Sequence, residues 1–186
     1  AFSFIILAIA FVALSYGLNS NAPTGPFHKT ILELIILLLI NCVDSSPISK
    51  IISSVKSADP FPEVFDVLRD LKDDYRLAIL SNSEPDIIRY NVHKIGIEFD
   101  AIVLASEAKC YKPSQGMFRE LLRRINEPSI NVTHIAQSFY HDMRTAKELG
   151  FGKRIWINRY NRKSDPEYKP DPGLSDLTDV RELITM

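Results

Sequence analysis

The chain has 186 residues, 22 Lys+Arg against 23 Asp+Glu, a net charge of −1, 46% apolar and 24% charged residues. That is the size of one domain, or of one domain with a small appendage. Interspersed, nearly balanced charges lack the basic footprint of a nucleic-acid-binding protein, and nothing in the composition is disordered, collagen-like or disulfide-rich.

The averages hide an asymmetry along the chain. Residues 1–49 hold three charges, Lys29, Glu33 and Asp44, whereas residues 50–186 hold the other 42. Residues 1–18 carry none and approach the ~20 apolar residues that cross a bilayer, which makes a membrane anchor one reading of them. The missing basic n-region, the lack of a clear small-x-small cleavage site, and Ser3, Ser15 and Gly17 inside the run oppose it. Residues 31–43 (ILELIILLLINCV) include Glu33 and are too short to span, so they read as a buried helix or strand.

From residue 59 the pattern becomes regular. Asp59-Pro60 starts a helix in which Val64, Val67, Leu68 and Leu71 recur at helical spacing through Asp74. Residues 76–80 (RLAIL) read as a buried strand ending at Ser81-Asn82. Pro85 opens a helix to about Lys94, with Gly96 where a capping glycine belongs. Then come a strand at 100–104, a helix at 117–125, a strand core at 134–136, a helix at 144–149 followed by Gly150, and a strand at 155–158. Near-continuous apolar strands alternating with helices predict an α/β fold with a parallel sheet covered on both faces.

Ligands of such sheets bind at the carboxyl ends of the strands. The residues there are Ser81 and Asn82, Lys112-Pro113, Gln137-Ser138 and Asp142. A hydroxyl, an amide, an ammonium and a carboxylate at one edge make a site for a small anion, with Ser81 and Asn82 donating and Lys112 supplying charge. His93 and His141 have no carboxylate at dyad spacing and read as surface or loop residues. Cys42 and Cys110 stand apart from any CxxC or zinc-ligand spacing and read as small buried apolar residues of a reduced, cytoplasmic chain. The sequon Asn131-Val-Thr133 leads into an apolar run and carries little weight.

The segments LAILSNSEPDII (77–88), SEAKCYKPSQGMF (106–118) and HIAQSFYHDMRTAKELGFGKRIWINR (134–159) resemble the second, third and fourth motifs of the haloacid dehalogenase superfamily, and most closely its 2-haloacid dehalogenase branch. DPFPEVFDVLRDL (59–71) is similar to the segment that returns from the helical cap to the core, so the resemblance spans about 59–160. It implies a Rossmann-like three-layer core over 59–186, with residues 1–58 as an apolar helical cap remnant in which FVALSYGLNS resembles a cap helix. It also implies hydrolysis of a small 2-haloacid through an aspartyl ester formed by an Asp after the first, central strand. By motif position Ser81, Asn82 and Ser138 would hold the substrate carboxylate. Lys112 would neutralise the charge of the nucleophile and of the substrate, and Asp142 would sit beside the attacking water, as covalent carboxylate catalysis requires.

Several positions depart from that pattern. No aspartate precedes Asp44, which is followed by Ser45, Ser46 and Pro47 rather than by a glycine-threonine loop and lies only 37 positions before Ser81, and no arginine precedes Arg69. Phe118 stands where the dehalogenases carry a tyrosine, and Gln137 where the phosphatase branch carries an acid. One remaining motif-four carboxylate is a poor Mg²⁺ site, so no cofactor is expected unless the chain is phosphatase-like. The chain is thus expected to be the carboxyl-terminal part of such a hydrolase, inactive for want of its nucleophile. The alternatives are a phosphatase fragment and a dead binding module with an anchor at 1–18. A small anionic substrate is the expected partner, nucleic acid is not, and a homodimer or a membrane contact remains open. The lost central strand could be replaced by residues 2–14 or 31–40, since an open ladder there would leave backbone groups unpaired.

Overall fold

The structure is a computed structural model that describes residues 4–8, 53, 59–170 and 173–185. The chain divides into two units, residues 1–13 with 59–186, and residues 14–58. The readings placed on 31–43, on Asp44, on Cys42 and on a cap helix lie outside the described residues.

The first unit is built on a six-stranded sheet in the order β3-β2-β1-β4-β5-β6, all pairs parallel. Its strands are β1 (Phe4–Ala8), β2 (Arg76–Ser81), β3 (Ala101–Leu104), β4 (Val132–Ala136), β5 (Lys153–Ile157) and β6 (Gly173–Leu174). The helices are α1 (Val64–Lys72), α2 (Pro85–Ile95), α3 (Ala105–Ala108), α4 (Gln115–Ile125), α5 (Arg144–Glu148) and α6 (Val180–Thr185).

The central place between β2 and β4 is taken by Phe4–Ala8, in register from Phe4 opposite Arg76 and Val132 to Ala8 opposite Ala136. Successive strand residues face opposite sides of a sheet. Phe4 accordingly joins Leu80, Val103, Phe118, Leu121 and Phe151 on one face, while Ile5 joins Leu68, Leu77, Ile135, Ile155 and Val180 on the other. This corrects two expectations. The core is not confined to residues 59–186, and the leading segment is neither helical nor a span over Phe4–Ala8, because five apolar residues pair with two open ladders. Among the described residues no helix is long and apolar enough to cross a membrane.

The remaining elements follow their local chemistry. α1 buries Leu68 and Leu71 and is tied to α6 by Arg181, which donates to Asp70 at 3.0 Å and also pairs with Asp74. α2 starts on Pro85 and stops at Gly96, whose φ of 73° is left-handed and whose N–H bonds Val92 O. α4 is capped by the Ser114 hydroxyl and buries Met117, Phe118, Leu121 and Ile125. Cys110 is half-buried rather than buried; its Sγ lies 2.8 Å from where a Cβ on Gly116 would stand, so that glycine admits the thiol. α3, β6 and α6 have no counterpart among the elements expected from sequence, because two strand residues and helices of fewer than two turns are too short to show a period.

If β1 is an integral strand, Ile5→Ala should behave as a core truncation. We expect a loss of about 2–5 kcal/mol in urea unfolding; an unchanged midpoint would contradict the central placement.

Candidate functional site

The carboxyl ends of β2 and β4 and the loop after β3 bring three of the expected residues, Asn82, Lys112 and Asp142, into one hydrogen-bonded chain, with Ser81 beside it. Ser81 ends β2 in full burial and its Oγ accepts from the Ser83 N–H at 3.1 Å. The next residue, Asn82, turns its amide onto the Lys112 main chain. Its Oδ1 accepts from Lys112 N at 2.8 Å and its Nδ2 donates to Lys112 O at 3.2 Å. Asn82 thus positions the lysine loop, whereas the motif pattern alone gives it a bond to the substrate. From the other side Thr145 Oγ1 donates to Pro113 O at 2.8 Å, so the loop is pinned between β2 and α5.

Held in this way, Lys112 Nζ donates to Asp142 Oδ1 at 2.8 Å with both side chains buried. Asp142 lies in a π-helical turn, Phe139–Met143, that follows β4 and directs Asp142 and Met143 inward. Such turns are rare and are frequent at functional sites. A third partner is absent from the residues expected from sequence: His134 of β4, fully buried, has Nε2 3.2 Å from the same Asp142 Oδ1. The available signal is its place in a strand whose five residues are all buried, where an imidazole needs a partner.

Burial disfavours the Asp142 anion, but the Lys112 ammonium and the His134 hydrogen bond outweigh it, and the carboxyl sits below its ordinary value. Burial pushes His134 down as well, against the pull of Asp142. The pair is therefore carboxylate and neutral imidazole, and His134 must donate through Nε2.

The other candidates lie apart from this chain of bonds. Ser138 Oγ stands 2.9 Å from His141 Nδ1 and accepts the His141 N–H at 3.2 Å, which caps the π-helical turn. Gln137 is held through its carbonyl, which accepts from Trp156 Nε1 at 3.0 Å. Phe118 packs on the His134 ring with centroids 5.3 Å apart, and His93 lies in the last turn of α2. The sequon is part of the fold, since Thr133 is buried in β4 and Asn131 Nδ2 donates to Glu127 at 3.2 Å. At the carboxyl end of β1 the sequence from Phe4 to Leu14 reads FIILAIAFVAL, without a carboxylate, hydroxyl or thiol.

A match to the family described as haloacid dehalogenase-like hydrolase covers residues 45–154, more than half of the chain. The chain belongs to that family. It is 34% identical over 108 residues to haloacetate dehalogenase H-2 of Moraxella sp., covering 54% of this chain and 46% of that protein. It is 28% identical over 106 residues to the phosphoserine phosphatase of Thermus thermophilus, covering 56% of this chain and 42% of that protein. The chain thus matches less than half the length of these relatives. Among solved structures, the L-2-haloacid dehalogenase of Xanthobacter autotrophicus with chloropropionic acid covalently bound superposes with a TM-score of 0.71 at 18% identity, over 84% of this chain and 74% of that one. This shares the α/β fold.

The buried charges set two expectations for stability. Lys112→Ala leaves the buried Asp142 carboxylate without a counter-charge, with only the His134 hydrogen bond, and should cost about 3–5 kcal/mol in denaturant unfolding, whereas Lys112→Met with Asp142→Leu should cost less because neither charge remains. The folded pKa of His134 lies below its ordinary value of 6.5, so on acidification the unfolded chain takes up this proton first. Wild-type stability should fall as the pH drops below about 6.5, and His134→Phe should flatten that slope.

Proposed function

We propose that this chain carries the anion-holding side of a 2-haloacid dehalogenase-type site, binds a small carboxylate there, and as it stands does not hydrolyse it through an aspartyl ester. The observation that carries the reading is a contrast at one sheet edge. Asn82, Lys112 and Asp142 are linked, the last two buried, while the strand lying where the family's nucleophile would sit ends in Ala8 and the sequence continues Ile9-Ala10. An ammonium held by a backbone brace is a charge that a carboxylate can meet without ordering the site first. Ser81 is the hydroxyl offered to the same ligand, since Ser138 Oγ is already engaged with His141.

The likeness to a dehalogenase and to a phosphatase leaves two leaving groups to choose between, and the donor set favours the metal-independent one. A Mg²⁺ ion needs several hard oxygens. Here Asp142 Oδ1 already faces the Lys112 ammonium, Gln137 replaces the second acid, and no group of three metal-ligating side chains occurs among the described residues. The residues present do not fit that ion, and no step is assigned to it.

The test uses the full chain with 2-chloropropionate, and with p-nitrophenyl phosphate with and without Mg²⁺. We expect no halide or phosphate above the blank, together with saturable chemical-shift changes on adding 2-chloropropionate. Ser81→Ala, which leaves the buried ion pair intact, should weaken that binding about tenfold, the equivalent of one good hydrogen bond to a charged group. Halide release that is lost in Lys112→Ala would overturn the inactive reading and make Asp44 the first nucleophile to examine. A folded chain that binds no carboxylate would overturn the anion-holding reading.

A further inference from the structure

His134 has no role in the expectations drawn from sequence, yet it is built into the site with more constraint than any other imidazole described. The ring is boxed by Phe118 and Phe151, with centroids 5.3 and 5.6 Å away, and these two phenyls meet edge-on at 5.9 Å. It projects from the middle of β4, where its backbone lies opposite Ile6 of the central strand and Arg154 of β5. Its Nε2 shares Asp142 Oδ1 with Lys112 Nζ, whereas its Nδ1 and Asp142 Oδ2 are buried without a hydrogen-bond partner. An apolar side chain would fill the box without leaving a buried nitrogen bare, so packing alone does not explain an imidazole here.

We propose that His134 is a positioning residue for the Lys112–Asp142 pair. As a neutral imidazole it donates through Nε2 to Asp142 Oδ1, fixes the carboxylate plane, and keeps Asp142 ionised against its burial. The result is that Lys112 remains a charged donor at the sheet edge.

The logic is one of competing donors on a single oxygen. Lys112 alone could swing with Asp142 as a mobile pair, because an ammonium is a point charge with three rotatable donors and imposes little direction. A ring wedged between two phenyls has no such freedom, so its N–H defines where Oδ1 must lie. Asp142 and Lys112 are the titratable groups that act on the ring, the first favouring its protonation and the second opposing it. The two phenyls that close the box contribute no charge. Protonation would place a second, unpartnered N–H at Nδ1 in an apolar wall, which holds the ring neutral.

This role rests on reading the edge as the anion-holding side, but its first test does not involve a ligand. Nitrogen shifts of the His134 ring in the wild-type full chain should show a protonated Nε2 and a bare Nδ1 between pH 5.5 and 8. A cationic ring or the opposite tautomer at neutral pH would overturn the proposal whatever the chain binds. The second test follows the Asp142 carboxyl carbon through an acid titration. His134→Phe, which keeps an aromatic in the box, should move that titration to higher pH, and His134→Gln, whose amide can still donate, should move it back towards wild type. A purely space-filling role predicts no movement in the Phe variant, and that result would also overturn the proposal. If the Phe variant fails to fold, the wild-type tautomer decides. Loss of carboxylate binding with the tautomer as stated would count against the ligand reading and not against His134.

Discussion

A parallel sheet whose middle strand is missing would present two unpaired ladders in its own interior. Those backbone groups must find partners, because each one buried without a hydrogen bond costs on the order of 1–3 kcal/mol. In this protein the requirement is met by five apolar residues, Phe4–Ala8, that lie between β2 and β4. Everything at the carboxyl edge depends on that placement, since it sets the spacing between the strand that ends in Ser81 and the strand that leads to Asp142. A central strand buried on both faces needs no polar residue, so a segment written entirely in apolar letters suits the position. The same property leaves Phe4–Ala8 without a carboxylate, hydroxyl or thiol.

The site that remains is held by backbone braces and one buried ion pair. Burying an ammonium and a carboxylate is unfavourable unless geometry and further hydrogen bonds compensate. Here Asn82 fixes both main-chain groups of Lys112, Thr145 holds the following carbonyl, and His134 adds a second donor to Asp142. The arrangement is expensive for a fold to maintain as mere architecture. It makes sense as a fixed positive charge waiting at a sheet edge, and that is why an anion is the proposed ligand.

Much of this is legible in the order of residues from 59 onward. Apart from the short α3, which is not among the expected elements, the helices and strands from α1 to β5 lie within a few residues of their predicted limits, because each carries a period, a cap or a run of β-branched residues of its own. Ser81, Asn82, Lys112 and Asp142 are legible as edge residues because a parallel sheet puts functional groups at strand ends. Three things are not legible. Asn82 reads as a substrate donor, since nothing local shows that Lys112, 30 residues on, turns its main chain towards the amide. His134 gives no local sign of its role, because its partner lies eight residues away across a π-helical turn. Ser138 reads as one of the anion donors, although its hydroxyl is engaged with His141 three residues later.

By itself, then, the sequence determined the α/β class, the family, the charge balance, and the absence of a nucleophilic side chain from Phe4 to Leu14, all of which depend on composition, local period and short motifs. Only the tertiary structure decided that Phe4–Ala8 is the central strand, that Asn82 braces a loop, and that Lys112, Asp142 and His134 share one oxygen. The physical reason is that these are matters of pairing between segments distant in the chain. An apolar run is equally suited to a bilayer, a helix face or a buried strand, and only open ladders on both sides select among them.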